Sequence, residues 1–344
     1  MIRSVRLVVP VLMALWLLAM VSATSQAAET ANPQQQAKKS QKKPAKKPAW
    51  PAVKPTLANV PYGTHERQVL DFYKAESAKP TPLLFYIHGG GWVNGDKKMR
   101  MNYPYVHPYL SSGISIVSIN YRYTTQAQEA GVKPPVEWPM RDAARALQFV
   151  RSKAAEWNID KERIGASGGS AGACTSLWLA LHDDMADPKS SDPVARESTR
   201  LWCAAVSGPQ TTLDPKQMKQ WTPNSRYGGH AFGFMPDTKN LKTRDTQFSE
   251  FLAAREQWLP WIKEYSPYEH VTADDPPIYM IFRAPPAIGE NQKDPTHTAN
   301  FGVKLAEKLQ EVGVPCEVVY PDATNVQHPT IESYLLAKLK APKP

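Results

Sequence analysis

From residue 56 onward the chain alternates short apolar runs with longer amphipathic blocks. Residues 82–87 (PLLFYI) and 114–119 (ISIVSI) are apolar runs of strand length. Residues 140–154 instead place Ala143, Ala146, Leu147 and Val150 on one helical face. Residues 163–167 read as a brief strand and residues 171–182 as a helix rich in Ala and Leu. Residues 201–207, 277–282 and 317–320 read as further strands, and residues 301–312 and 330–339 as helices. This alternation predicts an α/β fold: a mostly parallel central sheet with helices on both faces. One block breaks the rhythm. Residues 211–264 are too long for a single crossover helix and hold Trp221, Tyr227, His230, Phe232, Phe234, Trp258 and Trp261. They predict a partial cap inserted into the fold, with aromatics that either form its core or stack on a ligand.

The first 55 residues follow no such pattern. Arg3 and Arg6 precede an almost wholly apolar stretch over 7–21, and Ser25-Gln26-Ala27 offers a small-residue cleavage site. Residues 1–27 therefore read as a secretory signal, with a retained membrane anchor as the alternative. Residues 28–55, rich in Lys, Pro and Ala, cannot bury enough apolar surface to offset their ordering entropy and read as a disordered linker. Residues 56–341 are then the folded domain, of a periplasmic or secreted protein. Residues 1–55 carry nine Arg and Lys against one Glu, +8 of the whole chain's +9, which leaves +1 for the remainder. The basic balance thus gives the domain no nucleic-acid signature, and leaves the linker a weak contact with anionic envelope surfaces. Cys174, Cys203 and Cys316 are odd in number and widely spaced, and read as small buried hydrophobes.

Residues 165–172, GASGGSAG, match the nucleophile-elbow pattern G-x-S-x-G twice, centred on Ser167 and on Ser170. An elbow needs a strand before it and a helix after it. Around Ser167 the strand would shrink to two residues and the helix would begin Gly-Gly, a poor start. Around Ser170 the strand runs through Ser167 and a good helix begins at Ala171. Ser170 is the candidate nucleophile.

A serine nucleophile needs oxyanion donors, a base and an orienting carboxylate. His88-Gly89-Gly90-Gly91-Trp92 follows an early strand, and consecutive glycines let backbone N–H groups converge on a developing oxyanion. Gly90, Gly91 and Ala171 are the candidate oxyanion donors, and Trp92 a candidate substrate contact. Eight histidines compete for the base. His88 belongs to the glycine loop and reads as a structural hydrogen-bonder. His65, His107 and His182 precede the last strands, and His230 and His270 belong to the insertion and its exit. His328 follows the final strand, which fits the chain order serine, acid, histidine; His297 is the runner-up. For the acid, Asp294 is preferred over Glu290 in the loop after the penultimate strand, with Asp322 third.

These residues carry a resemblance. Tyr62-Gly63, residues 68–71 (QVLD), HGGGW at 88–92 with Gly95-Asp96-Lys97, Asn120-Tyr121-Arg122-Tyr123, residues 139–143, RIGASGGSAG at 163–172 and Ser266-Pro267 together resemble the hormone-sensitive-lipase-like α/β-hydrolase esterases, the group of bacterial carboxylesterases and acetyl xylan esterases. The resemblance covers roughly residues 58–340. It implies a serine esterase acting through Ser170, His328 and Asp294 and an acyl-enzyme, on a small ester or an acylated carbohydrate, with no metal or organic cofactor. The chain departs from the family's pattern after the penultimate strand, where H-G-x-x-D is replaced by Phe282-Arg283-Ala284-Pro285-Pro286, and before His328, where a glycine is missing. Two other functions stand beside it: an arylformamidase-like amidase, and an inactive hydrolase fold used for binding.

Overall fold

The computed structural model describes residues 51–342; the segment read as a signal and most of that read as a linker lie outside them. Eight strands form one sheet: β1 (Leu57–Pro61), β2 (Val69–Tyr73), β3 (Thr81–Ile87), β4 (Ser115–Ile119), β5 (Ile159–Gly169), β6 (Cys203–Ser207), β7 (Ile278–Ile281) and β8 (Cys316–Val319). Their spatial order is β1-β2-β4-β3-β5-β6-β7-β8. β2 is antiparallel to both β1 and β4, and every pair from β4 through β3 to β8 is parallel. β3 is buried at all seven positions, as expected of a central parallel strand covered on both faces.

The helices are α1 (Tyr103–Ser111), α2 (Thr124–Glu129), α3 (Glu137–Ser152), α4 (Ala154–Trp157), α5 (Ala171–Leu181), α6 (Pro215–Trp221), α7 (Phe248–Ala253), α8 (Arg255–Glu264), α9 (Ala299–Glu311) and α10 (Ile331–Lys340). α3 buries Met140, Ala143, Ala146, Leu147 and Val150, the face that its spacing predicts. All eleven residues of α5 are buried, so its small and apolar composition matches its surroundings on every side. α6 to α8 make up the insertion.

The segments around the sheet's antiparallel end are tied by buried polar bonds. Lys97 and Asp71 form an ion pair at 2.8 Å with both side chains only 2% exposed. The Lys97 backbone is held at both ends, its N–H by the Asn120 side chain and its carbonyl by the Ser118 hydroxyl. Asp142 of α3 accepts from Gln68 and from the Arg122 guanidinium. Removing one partner of such a buried pair costs about 3–5 kcal/mol, because it leaves the other charge desolvated. The QVLD, GDK and NYR motifs are thus one framework beneath the glycine loop.

Residues 51–55 correct the linker boundary. Ala52 bridges to Asn102 and the Val53 N–H bonds the Met101 carbonyl, so backbone pairing orders residues whose composition alone predicts disorder. Among the described residues no helix is long and apolar enough to cross a membrane.

Candidate active site

β3, β5, β6 and β7 end in register: Ile87 pairs with Gly168, Gly169 with Ser207, and Ser207 with Ile281. Ser170 follows at once, between the end of β5 and the start of α5. Its backbone sits at φ 55°, ψ −124°, outside the regions favoured by a side-chain-bearing residue. Two bonds hold it there: Ser170 N–H to the Ser207 carbonyl at 3.0 Å and Cys174 N–H to the Ser170 carbonyl at 2.9 Å. The flanking glycines permit the turn. A Cβ on Gly168 would stand 2.6 Å from the Gly172 backbone, and one on Gly172 would stand 2.2 Å from the Ile87 carbonyl oxygen. Ser167 is different. It is 2% exposed and donates its hydroxyl to the Ala205 carbonyl at 2.6 Å, as a strand residue spent on structure.

His297 meets Ser170. Its Nε2 lies 2.8 Å from Ser170 Oγ. Its Nδ1 lies 2.9 Å from Asp294 Oδ2. A carboxylate only accepts, so Nδ1 carries the proton and Nε2 is free to accept from the serine hydroxyl. Asp294 also accepts from the backbone N–H groups of Thr296 and His297, which folds Asp294-Pro295-Thr296-His297 into a tight turn. Both side chains reach solvent, His297 at 37% and Asp294 at 62% exposed.

The loop that carries this pair, residues 282–298, is fastened from behind. Buried Asn300, in the first turn of α9, accepts from the Ala287 N–H and donates to the carbonyls of Trp221 and Ala287. Asn224 and Gln292 exchange bonds between amide side chain and backbone. Gln210 donates to the Thr296 carbonyl at 2.6 Å. The insertion's first helix, α6, thereby sets the height of the loop. Gly208 makes the space: at φ 56° it needs no Cβ, and one placed there would lie 3.1 Å from His297 Cβ.

The glycine loop faces the serine across a cleft of about 350 Å³. Gly89, Gly90, Ser170, Gly208 and His297 line it, with Tyr86, Met99, Ile281 and the exposed Arg100 and Arg283 at its walls. Ala171 opens α5, where backbone N–H groups have no intrahelical acceptor and the helix dipole favours negative charge. Gly91 stands one step behind Gly90, its carbonyl accepting from His230 Nε2 of the insertion at 2.8 Å. Burial drives His230 and His88 down to pKa values of about 4, so both are neutral fittings of this loop.

Two expectations change, and one open alternative is decided. His328 is not on Ser170: its Nδ1 bonds Glu317 Oε2 at 2.8 Å and its N–H bonds Glu317 Oε1. The chain after β8 turns back along the sheet, and the Tyr279 hydroxyl, mid-β7, holds the His328 carbonyl. Trp92 is fully buried, with its indole N–H on the Thr175 hydroxyl, so it cannot touch a ligand in the cleft. The insertion's aromatics pack on one another, as in the Phe232–Phe251 stack at 5.0 Å, and none lines the cleft. Glu290 is exposed and Asp322 sits in the loop after β8; neither lines the cleft.

Sheet order, elbow and cleft define an α/β-hydrolase fold. The family model described as BD-FAE matches residues 70–287, more than half of the chain, and the chain belongs to that family. It is 24% identical over 281 residues to Esterase LipQ of Mycobacterium tuberculosis, covering 79% of this chain and 56% of that one. It is 26% identical to the probable carboxylic ester hydrolase LipM of the same organism, covering 65% and 46%. The chain thus spans about half the length of these curated relatives. An acetyl ester-xyloside bifunctional hydrolase from Caldicellulosiruptor lactoaceticus shares 25% identity at a TM-score of 0.52, covering 73% and 76%. A truncated carbohydrate esterase from gut microbiota shares the fold at a TM-score of 0.59 and 19% identity, covering 82% and 95%.

Proposed function

We propose that this protein is a serine carboxylic ester hydrolase that removes short acyl groups, acetyl above all, from acylated carbohydrate. The observation that carries the reading is the chain of bonds from Asp294 through His297 to Ser170 on a strained turn at the start of α5. His297 Nε2 takes the hydroxyl proton as Ser170 Oγ attacks the ester carbonyl carbon. The carbonyl oxygen becomes an oxyanion facing the N–H groups of Ala171 and of the glycine loop. The tetrahedral intermediate collapses, the C–O bond to the alcohol breaks, and His297 returns the proton to the departing alkoxide. Water then repeats the sequence on the acyl-enzyme: His297 deprotonates it, and the acid leaves as Ser170 regains its proton. Asp294 keeps the imidazole in the required tautomer and stabilises it when charged.

The names of the relatives support ester chemistry, and that of the Caldicellulosiruptor hydrolase supports an acetylated sugar. The basic-then-apolar segment at residues 3–21 supports export, where such polymers occur. Hydrolysis of p-nitrophenyl acetate by the purified protein tests the reaction, and Ser170→Ala is expected to lower kcat by about 10⁵–10⁶. A wild-type protein without turnover overturns the esterase reading, and a mutant that keeps it overturns the nucleophile. Acetate release from acetylated xylan, mannan and pectin tests the substrate class separately; turnover of the small ester with no release from any glycan removes the carbohydrate.

A further inference from the structure

Away from the Ser170 cleft, three side chains converge where α5 ends. His182 comes from the C-cap of α5, Glu264 from the last turn of α8, and His270 from the 3-10 turn Pro267–His270. One donor atom from each lies within 4.8 Å of the others. In the neutral rings, hydrogen bonds to backbone carbonyls fix which nitrogen carries the proton. His182 Nδ1 lies 2.8 Å from the Asp183 carbonyl, which only accepts, so Nδ1 carries the proton. In the neutral ring Nε2 is then a bare lone pair, and it faces Glu264 Oε1 at 3.3 Å. His270 donates its Nε2–H to the Glu264 carbonyl at 2.6 Å, which leaves Nδ1 bare. That carbonyl is pinned a second time by the Trp178 indole N–H at 2.7 Å. The two imidazole rings lie 4.6 Å apart, tilted by 37°.

In the neutral ring that lone pair faces a carboxylate oxygen, an unfavourable contact that is relieved either by a bound cation or by a second ring proton. Imidazoles whose other N–H is fixed on a backbone carbonyl are the usual form of metal-bound histidine. We propose that His182, Glu264 and His270 form a binding site for a divalent transition-metal ion, Zn²⁺ by its donor set, with water as the fourth ligand. Two imidazole nitrogens and one carboxylate suit Zn²⁺ at bond lengths of about 2.0–2.2 Å, and rotation of the partly exposed Glu264 side chain closes the remaining gap. The Arg141 guanidinium donates to Glu264 Oε1 at 2.8 Å but is 43% exposed, so it can yield to the ion and return to solvent. The bound ion clips α8 and the exit of the insertion to the end of α5. Its role is structural, far along α5 from Ser170. Without a metal, the competing arrangement is a protonated His182 paired with Glu264.

The test uses the metal-stripped full chain, free of any histidine tag, titrated with Zn²⁺ by calorimetry and with Co²⁺ by fluorescence. The Trp178 ring lies 4.8 Å from that of His182, so Co²⁺ in the site quenches it. One Zn²⁺ is expected to bind per chain with a Kd of about 1–10 μM. Saturation at about 100 times that Kd should raise the Tm by about 5 °C. His182→Gln and His270→Gln should each weaken binding by about 30-fold or more, or a Kd shift of about 2 kcal/mol. His297→Gln should leave Zn²⁺ binding intact. Binding weaker than about 1 mM, or binding that survives His182→Gln, overturns the proposal. So does binding lost only in His297→Gln, which would put the ion in the cleft. If His182→Gln does not fold, Glu264→Gln gives the same decision. None of these readouts needs ester turnover, so a failed esterase reading leaves them unaffected.

Discussion

The histidines in the loops after β7 and β8 enter the same chemical unit in two places. After β7, Asp294 binds His297 at 2.9 Å; after β8, His328 turns back to bind Glu317 of β8 at 2.8 Å. In each pair Nδ1 faces a carboxylate and Nε2 points elsewhere. Only the first pair stands above the strand ends where Ser170 sits. The second lies against the body of the sheet, beside Ile278, Cys316 and Tyr334. A carboxylate–imidazole pair is a local product of backbone and side-chain bonds. Whether it can serve a nucleophile depends on which end of a parallel sheet its loop returns to.

The sharpest way to break this comparison is to remove each imidazole in turn. His297→Ala is expected to lower kcat for p-nitrophenyl acetate by about 10⁴ or more, because the serine loses its base. His328→Ala should change kcat by less than about twofold and cost about 1 kcal/mol of stability, read by urea unfolding. The reverse pattern would mean that the loop after β8 swings to the serine in solution.

Removing the two carboxylates probes the same contrast with a smaller effect. Asp294→Asn keeps the shape but favours the wrong tautomer of His297, and is expected to lower kcat by about 10²–10³. The solvent around Asp294 moderates the loss. Glu317→Gln should leave kcat within about twofold and lower stability by about 1–2 kcal/mol, since Glu317 also accepts from the N–H groups of Gln327 and His328. Equal kinetic losses from both variants would erase the distinction between the loops.

The sequence made the sheet legible where strands were apolar runs, as in β3, β4 and β6. It showed less where other forces decide. β5 begins at Ile159, five residues before its apolar stretch opens at Ile164, because its polar first half still reaches β3 at Thr81. β1 and β2 are an antiparallel pair whose buried Asp71 takes its counter-charge from a distant Lys97. α1 contains Pro108, which argues against a helix until its neighbours are known. The elbow could be assigned because two overlapping matches differ in local strand and helix context. The histidine beside Ser170 ranked second, because chain order favoured His328 and nothing in the sequence says that the last loop folds back along the sheet. A local signal did exist in Asp294-Pro295-Thr296-His297: an Asp that caps its own turn brings a residue three positions on beside its carboxylate. Trp92 was misjudged for a similar reason, since adjacency to the glycine loop does not reveal the Thr175 hydroxyl waiting inside.

The smallest effect concerns the space that admits one histidine and not the other. Gly208 follows β6 with φ 56°, its N–H on the Ile281 carbonyl, directly under His297. Gly208→Ala adds a Cβ about where His297 Cβ needs 3.1 Å of clearance, and forces a left-handed backbone on a residue that pays about 1–2 kcal/mol for it. The 282–298 loop is fixed by Asn300, so His297 can retreat from Ser170 by only a few tenths of an ångström before those bonds strain. A displacement of that size is expected to lower kcat by about tenfold, with KM nearly constant. His328 is held from β7 and β8 instead, so its bonds to Glu317 should survive, visible as an unchanged imidazole resonance in the NMR spectrum. Full activity in Gly208→Ala would show that the loop after β7 adjusts freely, and that the end of β6 does not set the position of the base.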